Sequence, residues 1–488
     1  MSNRTGNTVP EKTNISYGLK DQVLSSWEVI SQSVANIAPT ATPALVIPLV
    51  FAVAGGATWV AYIFATIATL LVALSINVFA KRSASPGSFY TYIADSLGPI
   101  WGTIIGWILF ISYIGVGSAV TTGFTNYINV LIKDIFGLTS DLPTPVLTII
   151  LGLSILGTWF IAYKDIRLST RLMMGLELTS IAFISVVVVA TVVRHGFHLD
   201  WSQLSFSGVT ADNLRLGLVL AIFSFVGFES ATALGSEAKS PLTTIPQAVW
   251  RSALFVGLLF AISAYAEVLG FAGNAVTLDK SDAPLQVLAA NAGIPFFGVL
   301  ITIGAVFSFF ACTLASITAG SRVLFLLARH GVFHSLLGGA HDKNETPHVA
   351  VTLSAIIAFI PAALLTWNGQ NLFAIYGWIG TTATLGFIVV YIVTSIAAPI
   401  YLYRRKELRV SNILVAAAAV ILQVVALVGA VYPLPAAPNN YPIYAFVVLL
   451  AIGLIIGFVL QFRPGVYLNI QKDLVAIEKR HQITAAED

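Results

Sequence analysis

Two stretches of the chain place polar residues inside apolar runs that are long enough to cross a membrane. Residues 223–230 read FSFVGFES, so that Gly227 and then the carboxylate of Glu229 fall near the middle of one run. A charge at that depth is costly, and such residues usually face a cavity and serve a function. Residues 38–43, which read APTATP, interrupt another run near the N-terminus. We expect the two stretches to form one binding site for a small polar solute.

The stretch at residues 38–43 is predicted to break its helix. Pro39 and Pro43 each remove a backbone hydrogen-bond donor and clash with the preceding helical turn. The backbone groups that are freed, together with the hydroxyls of Thr40 and Thr42, need partners that lipid does not offer. Irregular backbone at this depth is tolerated inside protein or beside a cavity. A simple proline kink is the alternative for this stretch taken alone.

The interrupted runs are the first and the sixth apolar runs of the chain, which favours one shared site over two unrelated kinks. This spacing is typical of transporters built from two inverted repeats, where half-helix N-termini face anionic groups and unwound carbonyls face cations. An amino acid suits such a site because exposed amides can hold its carboxylate and exposed carbonyls can hold its ammonium. The predicted substrate-binding residues are Ile37, Ala38, Pro39, Thr40, Ala41, Thr42, Phe223, Phe225, Val226, Gly227, Phe228 and Glu229.

The elements that must position these residues are membrane-spanning helices. The 488-residue chain is 57% hydrophobic and 10% charged, whereas soluble domains carry about 25% charged residues. Its apolar runs have the length of roughly 20 residues that crosses a lipid bilayer as a helix. We predict an all-α integral membrane protein with twelve transmembrane helices, of which the first and sixth are broken. Their predicted ranges are 27–53, 59–80, 100–132, 144–162, 169–193, 213–235, 248–272, 295–327, 347–365, 372–401, 412–431 and 441–462.

The basic residues orient these spans. Twelve crossings place both termini on one side, and 21 of the 25 lysines and arginines fall on that side. The other side holds Lys133, Arg194, Arg215 and Lys280. Because cytoplasmic loops carry the excess of basic residues, both termini are expected in the cytoplasm. The predicted organisation is an N-terminal tail at 1–26, a first five-helix repeat at 27–193, a second at 194–401, two further helices at 402–462 and a C-terminal tail at 463–488.

Three further motifs carry a family resemblance. Residues 224–230, followed by SEAKSP at 236–241 and Ile245-Pro246, resemble the sixth-helix signature of the amino acid–polyamine–organocation (APC) superfamily of permeases. Residues 85–92, SPGSFYTY, resemble the loop between its second and third helices, and residues 319–331, AGSRVLFLLARHG, resemble its eighth helix. The resemblance implies an amino acid permease with a LeuT-like fold, a five-plus-five inverted repeat followed by two C-terminal helices.

The first helix departs from the family pattern. The family usually breaks this helix at a Gly-Ser-Gly-like triplet that binds the substrate backbone, whereas this chain has Pro39, Thr40 and Ala41 at the matching positions. The added side chains leave less room for a close approach to the backbone. A polyamine or another organic amine is therefore an alternative to an ordinary α-amino acid.

Two acidic residues are candidates for proton coupling. Glu177 lies inside the fifth predicted span, and the alternative for it is pairing with Arg171 or a neighbouring helix. Three roles are open for Glu229: binding a substrate ammonium, carrying the proton, or holding the helix break by accepting backbone hydrogen bonds.

Other residues that could do chemistry are interpreted as structural or solvated. Glu267, in the seventh predicted span, is interpreted as structural, and His330 and His334 as a solvated cytoplasmic pair rather than a metal site. Cys312 is the only cysteine in the sequence, which argues against a cysteine-based metal site. We expect no metal and no cofactor.

The sequence thus predicts a secondary active transporter of the cell membrane, not an enzyme, that moves amino acids or related amines by alternating access. A proton is the expected driving ion, with sodium as the alternative. The formal net charge of +3 gives no reason to expect a nucleic-acid partner, and the sequence indicates no oligomeric state. Two other functions stay open: a polyamine or amine exchanger of the same fold, and an amine receptor that does not transport.

Overall fold

The computed structural model describes residues 17–206, 208–281 and 283–487. The predicted N-terminal tail lies outside these residues up to position 16. In the described ranges the chain is helical, apart from loops and one isolated bridge between Leu24 and Ala238. The α-helices, numbered in chain order, are α1 Ser26–Ile37, α2 Ile47–Ala54, α3 Thr58–Ala80, α4 Phe89–Leu97, α5 Pro99–Phe136, α6 Thr144–Lys164, α7 Ile166–Arg194, α8 Trp201–Leu204, α9 Ala211–Phe223, α10 Pro241–Phe271, α11 Pro284–Asn291, α12 Phe296–Arg329, α13 His348–Trp367, α14 Leu372–Arg404, α15 Val410–Val431, α16 Tyr441–Leu460 and α17 Pro464–Glu487.

Ten segments of the described chain are long and apolar enough to cross a membrane, which makes this a multi-pass membrane protein. One of them, Ser26–Ala80, is 55 residues long and contains α1, α2 and α3. The sixth predicted span is not among the ten, because α9 has only 13 residues. It is followed by irregular backbone and a five-residue 3-10 helix, Ser230–Leu234.

Local sequence explains where several of the long helices begin. The Asp165 side chain caps α7 by accepting hydrogen bonds from the backbone N–H groups of Arg167 and Leu168, at 2.6 and 3.2 Å. Asn371 caps α14 in the same way. Pro99 occupies the first turn of α5, where its missing N–H would have no helical partner in any case.

The interior of the bundle is formed by α5, α12 and α14. In α5, 83% of the most apolar stretch is buried, and the fraction is 67% in α12 and in α14. The corresponding fractions are 22% and 28% in α15 and α16, which therefore form an outer, lipid-facing layer. Glycine lets α5 and α12 approach closely, because a Cβ added at Gly123 would lie 2.5 Å from the ring of Phe309.

The C-terminal helix α17 is attached to the rest of the bundle by side-chain contacts. Asp473 accepts a hydrogen bond from the Tyr17 hydroxyl at 3.1 Å, and the Asn469 amide donates to the His330 carbonyl at 3.3 Å. The His330 ring is buried and shares a 2.6 Å hydrogen bond with the Tyr90 hydroxyl. The prediction of a solvated histidine pair is therefore wrong for His330, because α4 and α17 cover it.

Candidate functional site

The first break separates α1 from α2. Helix α1 ends at Ile37, Ala38 adopts a left-handed conformation with φ of 54°, and the chain resumes as a π-helical turn, Thr42–Val46. The Thr40 backbone N–H donates to Ser308 Oγ at 3.4 Å, and Thr40 Oγ1 donates to Ser180 Oγ at 2.9 Å. Polar groups that the break releases are thus bonded to side chains of α7 and α12 rather than exposed to lipid.

The second break follows α9, which ends at Phe223, four residues before the glycine on which the sequence prediction centred. Gly227 has a φ of 94°, a conformation that favours glycine. A Cβ at this position would lie 1.9 Å from Asn36 Nδ2 on α1, so the close approach also requires glycine. The Gly227 N–H donates to the Tyr391 hydroxyl of α14 at 3.4 Å.

Helix α1, which ends at the first break, contacts the second broken segment directly. Ser230 Oγ donates to the Gln32 carbonyl of α1 at 3.0 Å, and the Ala231 N–H donates to Ser33 Oγ at 3.2 Å. Asn36 also packs against Gly227, so the last two turns of α1 contact the second broken segment at Gln32, Ser33 and Asn36. The structure therefore brings together the two stretches that the sequence singled out.

A small cavity lies between the breaks. Its volume is about 20 Å³, which is room for roughly one water molecule. Six of the predicted site residues line it: Ile37, Ala38, Ala41, Thr42, Phe223 and Val226. Asn36, Val46, Val116, Ala119, Val120, Ser224, Cys312 and Tyr376 complete the lining. The polar lining groups are one amide, three hydroxyls and the thiol of Cys312, set among apolar walls.

The other predicted site residues lie behind this lining. Phe225 packs edge-on against Phe260 of α10, with ring centroids 5.5 Å apart, and Phe228 packs against Tyr391 at the same centroid distance. Pro39 and Thr40 are buried without lining the cavity. These side chains are in position to support the breaks rather than to contact a solute in the cavity.

Glu229 is fully buried and held by two tyrosines. The Tyr113 hydroxyl donates to Glu229 Oε1 at 2.9 Å, and the Tyr391 hydroxyl donates to Oε2 at 2.6 Å. Since Tyr391 also accepts the Gly227 N–H, the carboxylate is connected through one side chain to the backbone of the break.

Glu177 belongs to a second buried network at the first break. Ser308 Oγ lies 3.1 Å from both Glu177 carboxylate oxygens, and Ser180 Oγ lies 3.2 Å from Oε2. Both serines also bond Thr40, so a single serine side chain connects Glu177 to the first break. The alternative of pairing with a neighbouring helix is therefore observed, through Ser308 of α12. Pairing with Arg171 does not occur, because the Arg171 Nε donates to Glu28 at 2.8 Å.

Several residues of the site were not predicted from the sequence. Tyr113, Tyr376 and Tyr391 lie on unbroken helices, and nothing in their local sequence distinguishes them from ordinary core aromatics. Asn36 could have been predicted, since it is a polar amide in the last turn of the apolar helix before the first break. Its Nδ2 is buried and has no hydrogen-bond partner among the described residues, which leaves a donor beside the cavity.

The arrangement suits recognition of a small solute rather than bond-breaking chemistry. The cavity offers hydrogen-bonding groups and apolar walls, and the carboxylates of Glu177 and Glu229 are engaged by hydroxyls. In the described part of the chain, no group of three or more His, Cys, Asp or Glu residues is placed to hold a metal ion.

The amino acid permease family profile matches residues 28–461. The branched-chain amino acid permease BcaP of Bacillus subtilis (strain 168) is 26% identical over 328 residues, which cover 62% of this chain and 67% of BcaP. The low-affinity putrescine importer PlaP of Escherichia coli (strain K12) is 28% identical over 307 residues, with coverages of 62% and 66%. The cationic amino acid transporter 4 of Mus musculus is 25% identical over 331 residues, with coverages of 64% and 50%. The matches thus span between half and about two thirds of the lengths of these relatives.

Proposed function

Because the chain belongs to the amino acid permease family, we propose that it carries amino acids or related organic amines across the cell membrane by secondary active transport. The observation that carries this proposal is the meeting of two broken helices at one buried cavity. Ala38 and Gly227 supply the irregular backbone, and the free Asn36 Nδ2 supplies a donor for a carboxylate or another acceptor. The relatives include proteins named for branched-chain amino acids, for putrescine and for cationic amino acids.

The proposed architecture has twelve crossings arranged as a LeuT-like inverted repeat. The 55-residue segment Ser26–Ala80 crosses twice in this proposal, once through the broken pair α1 and α2 and once through α3. The segment from α9 to the 3-10 helix at Ser230–Leu234 supplies one further crossing. The first repeat then ends with α7 near residue 193, and the second ends with α14 near residue 401. The excess of basic residues on one side supports cytoplasmic termini.

A proton is the driving ion in this proposal. Glu177 is bonded through Ser180 and Ser308 to Thr40, so a change in its charge acts directly on the first break. Glu229 has the equivalent relation to the second break through Tyr391. Each broken helix therefore has one buried carboxylate connected to it. In this proposal, protonation and deprotonation of these two carboxylates drive the movements of the broken helices during alternating access.

Uptake into liposomes tests the proposal. The purified full-length protein is reconstituted, and labelled amino acids and polyamines are supplied under an inward proton gradient, an inward sodium gradient or neither. We expect at least one amine to accumulate under the proton gradient, and protein-free liposomes serve as the control. If none accumulates under either gradient and none shifts the melting temperature, the proposed function is wrong. Binding without uptake would instead indicate a receptor.

A further inference from the structure

Glu267 of α10 differs from the other two carboxylates near the broken helices. Glu177 and Glu229 accept hydrogen bonds on both oxygens. Glu267 is fully buried, and neither of its oxygens has a hydrogen-bond partner among the described residues. A buried carboxylate without partners is strongly unfavourable. Inside a membrane protein, such a group usually marks a ligand or ion site.

A hydroxyl without a partner lies on the same face of α10. Ser263 is four residues before Glu267, so the two side chains share one face of the helix. Ser263 Oγ is also buried and also has no partner in the described part of the chain. The face thus presents three buried oxygen atoms that can accept hydrogen bonds. An ammonium group has three N–H donors and no acceptor. Its three donors equal the three oxygen acceptors in number, and its positive charge is opposite to that of the carboxylate.

This face of α10 is directed toward the two breaks. Phe260, one turn before Ser263, packs against Phe225 of the second break and against Tyr62, with ring centroids 5.5 and 5.7 Å away. Helix α10 packs along α3, which carries Tyr62, and it also contacts the π-helical turn Thr42–Val46. Glu267 interacts electrostatically with Tyr62 and with Tyr127 of α5.

Both tyrosines connect the face to the cavity region. The Tyr62 hydroxyl is 3.2 Å from Ser224 Oγ, and Ser224 lines the cavity. The Tyr127 hydroxyl donates to the Ala44 carbonyl of the π-helical turn at 3.2 Å. Neither hydroxyl bonds Glu267, so both oxygens of the carboxylate stay available.

We propose that Glu267 and Ser263 bind a second ammonium group of the transported solute, and that this makes the protein selective for cationic amino acids and aliphatic diamines. The inference rests on the proposed transport function. One end of the solute lies between the broken helices, and the distal ammonium displaces or turns Tyr62 to reach Glu267. A neutral amino acid has no group for this position, and it leaves Glu267 unpaired.

Uptake by a charge-removing variant tests the inference. The full-length wild type, Glu267→Gln and Glu267→Asp are reconstituted in liposomes, and initial uptake of labelled lysine, putrescine and leucine is measured. We expect Glu267→Gln to lower lysine and putrescine uptake about tenfold or more relative to leucine uptake, and Glu267→Asp to retain part of it. Glu407→Gln removes an exposed carboxylate that is remote from the breaks and serves as the control.

Several outcomes would contradict the cation site. One is unchanged lysine and putrescine uptake in Glu267→Gln. Another is an equal loss for leucine, which would indicate a structural role, and the melting temperature of the variant identifies misfolding separately. A sodium-dependent rise in melting temperature that disappears in Glu267→Gln would show that sodium occupies the site instead. Leucine uptake by the wild type without lysine or putrescine uptake contradicts the cation site alone, whereas no uptake of any amine contradicts the transport function itself.

Discussion

Glu229 shows how one buried charge can be held at a helix break. Both of its oxygens are occupied, by Tyr113 and by Tyr391, and Tyr391 also bonds the Gly227 backbone. Of the three roles that its sequence context left open, these contacts favour holding the break over binding the substrate ammonium. A substrate amine would have to replace a tyrosine that already donates to the carboxylate.

We predict that Glu229→Gln impairs transport of every substrate. A glutamine cannot accept hydrogen bonds from both tyrosines at once, because one side of its amide is a donor. One buried hydroxyl then loses its acceptor, which costs about 1–3 kcal/mol and loosens the second break. Initial uptake of leucine in liposomes should fall roughly tenfold, further than in Glu267→Gln. Equal, wild-type-like leucine uptake by the two variants would remove Glu229 from the mechanism.

At the scale of elements, the sequence located both breaks because each depends on local chemistry. Proline removes a donor wherever it stands, and the glycine at 227 admits a φ that other residues avoid. The end of α9 at Phe223 was not predicted, because the residues that follow it are apolar and compatible with helix. The walls supplied by Val116, Cys312 and Tyr376 were also missed. Their position depends on how α5, α12 and α14 pack, and no pattern within those helices encodes it.

The first break provides a steric test of the cavity. Ala41 is buried and lines a space that holds about one water molecule. An indole there fills the space and overpacks the surroundings, which typically costs about 1–3 kcal/mol. We expect Ala41→Trp to abolish solute-dependent shifts in melting temperature and to reduce uptake at least tenfold.

Two further variants make the steric test specific. Ala41→Val should give an intermediate loss of affinity, since it adds less volume. Leu153→Trp places the same indole on an exposed, lipid-facing side chain and should behave like the wild type. Retained affinity in Ala41→Trp would show that the solute binds elsewhere.

At the scale of the whole molecule, the two broken segments are joined to the bundle at one end by a buried ion pair. Arg322 of α12 bonds Glu237 in a bidentate manner, at 2.6 and 2.7 Å, and both side chains are almost fully buried. The backbone of Val23 and Leu24, just before α1, bonds the Glu237 carbonyl. The start of the first broken helix and the end of the second broken segment are thus both bonded to Glu237.

Breaking this pair should destabilise the protein far more than breaking an exposed one. Glu237→Gln leaves the Arg322 charge buried without its partner, a change that typically costs about 3–5 kcal/mol. We expect a large fall in melting temperature in detergent, and partial recovery in the double variant Glu237→Gln with Arg322→Met. The matched control is Glu407→Gln, which breaks the exposed pair with Arg82 and should cost at most about 1 kcal/mol. Similar melting temperatures for Glu237→Gln and Glu407→Gln would contradict this account.

The small volume between the breaks has an electrical consequence. A solute of several non-hydrogen atoms cannot pass through a space of about 20 Å³ while the helices keep these positions. Under the proposed transport function, each molecule carried therefore requires the bundle to rearrange, and conformational steps of this kind take microseconds to milliseconds. A planar-bilayer recording of the protein should accordingly show a small, smooth current that levels off as solute concentration rises. The abrupt unitary steps of an open pore should be absent.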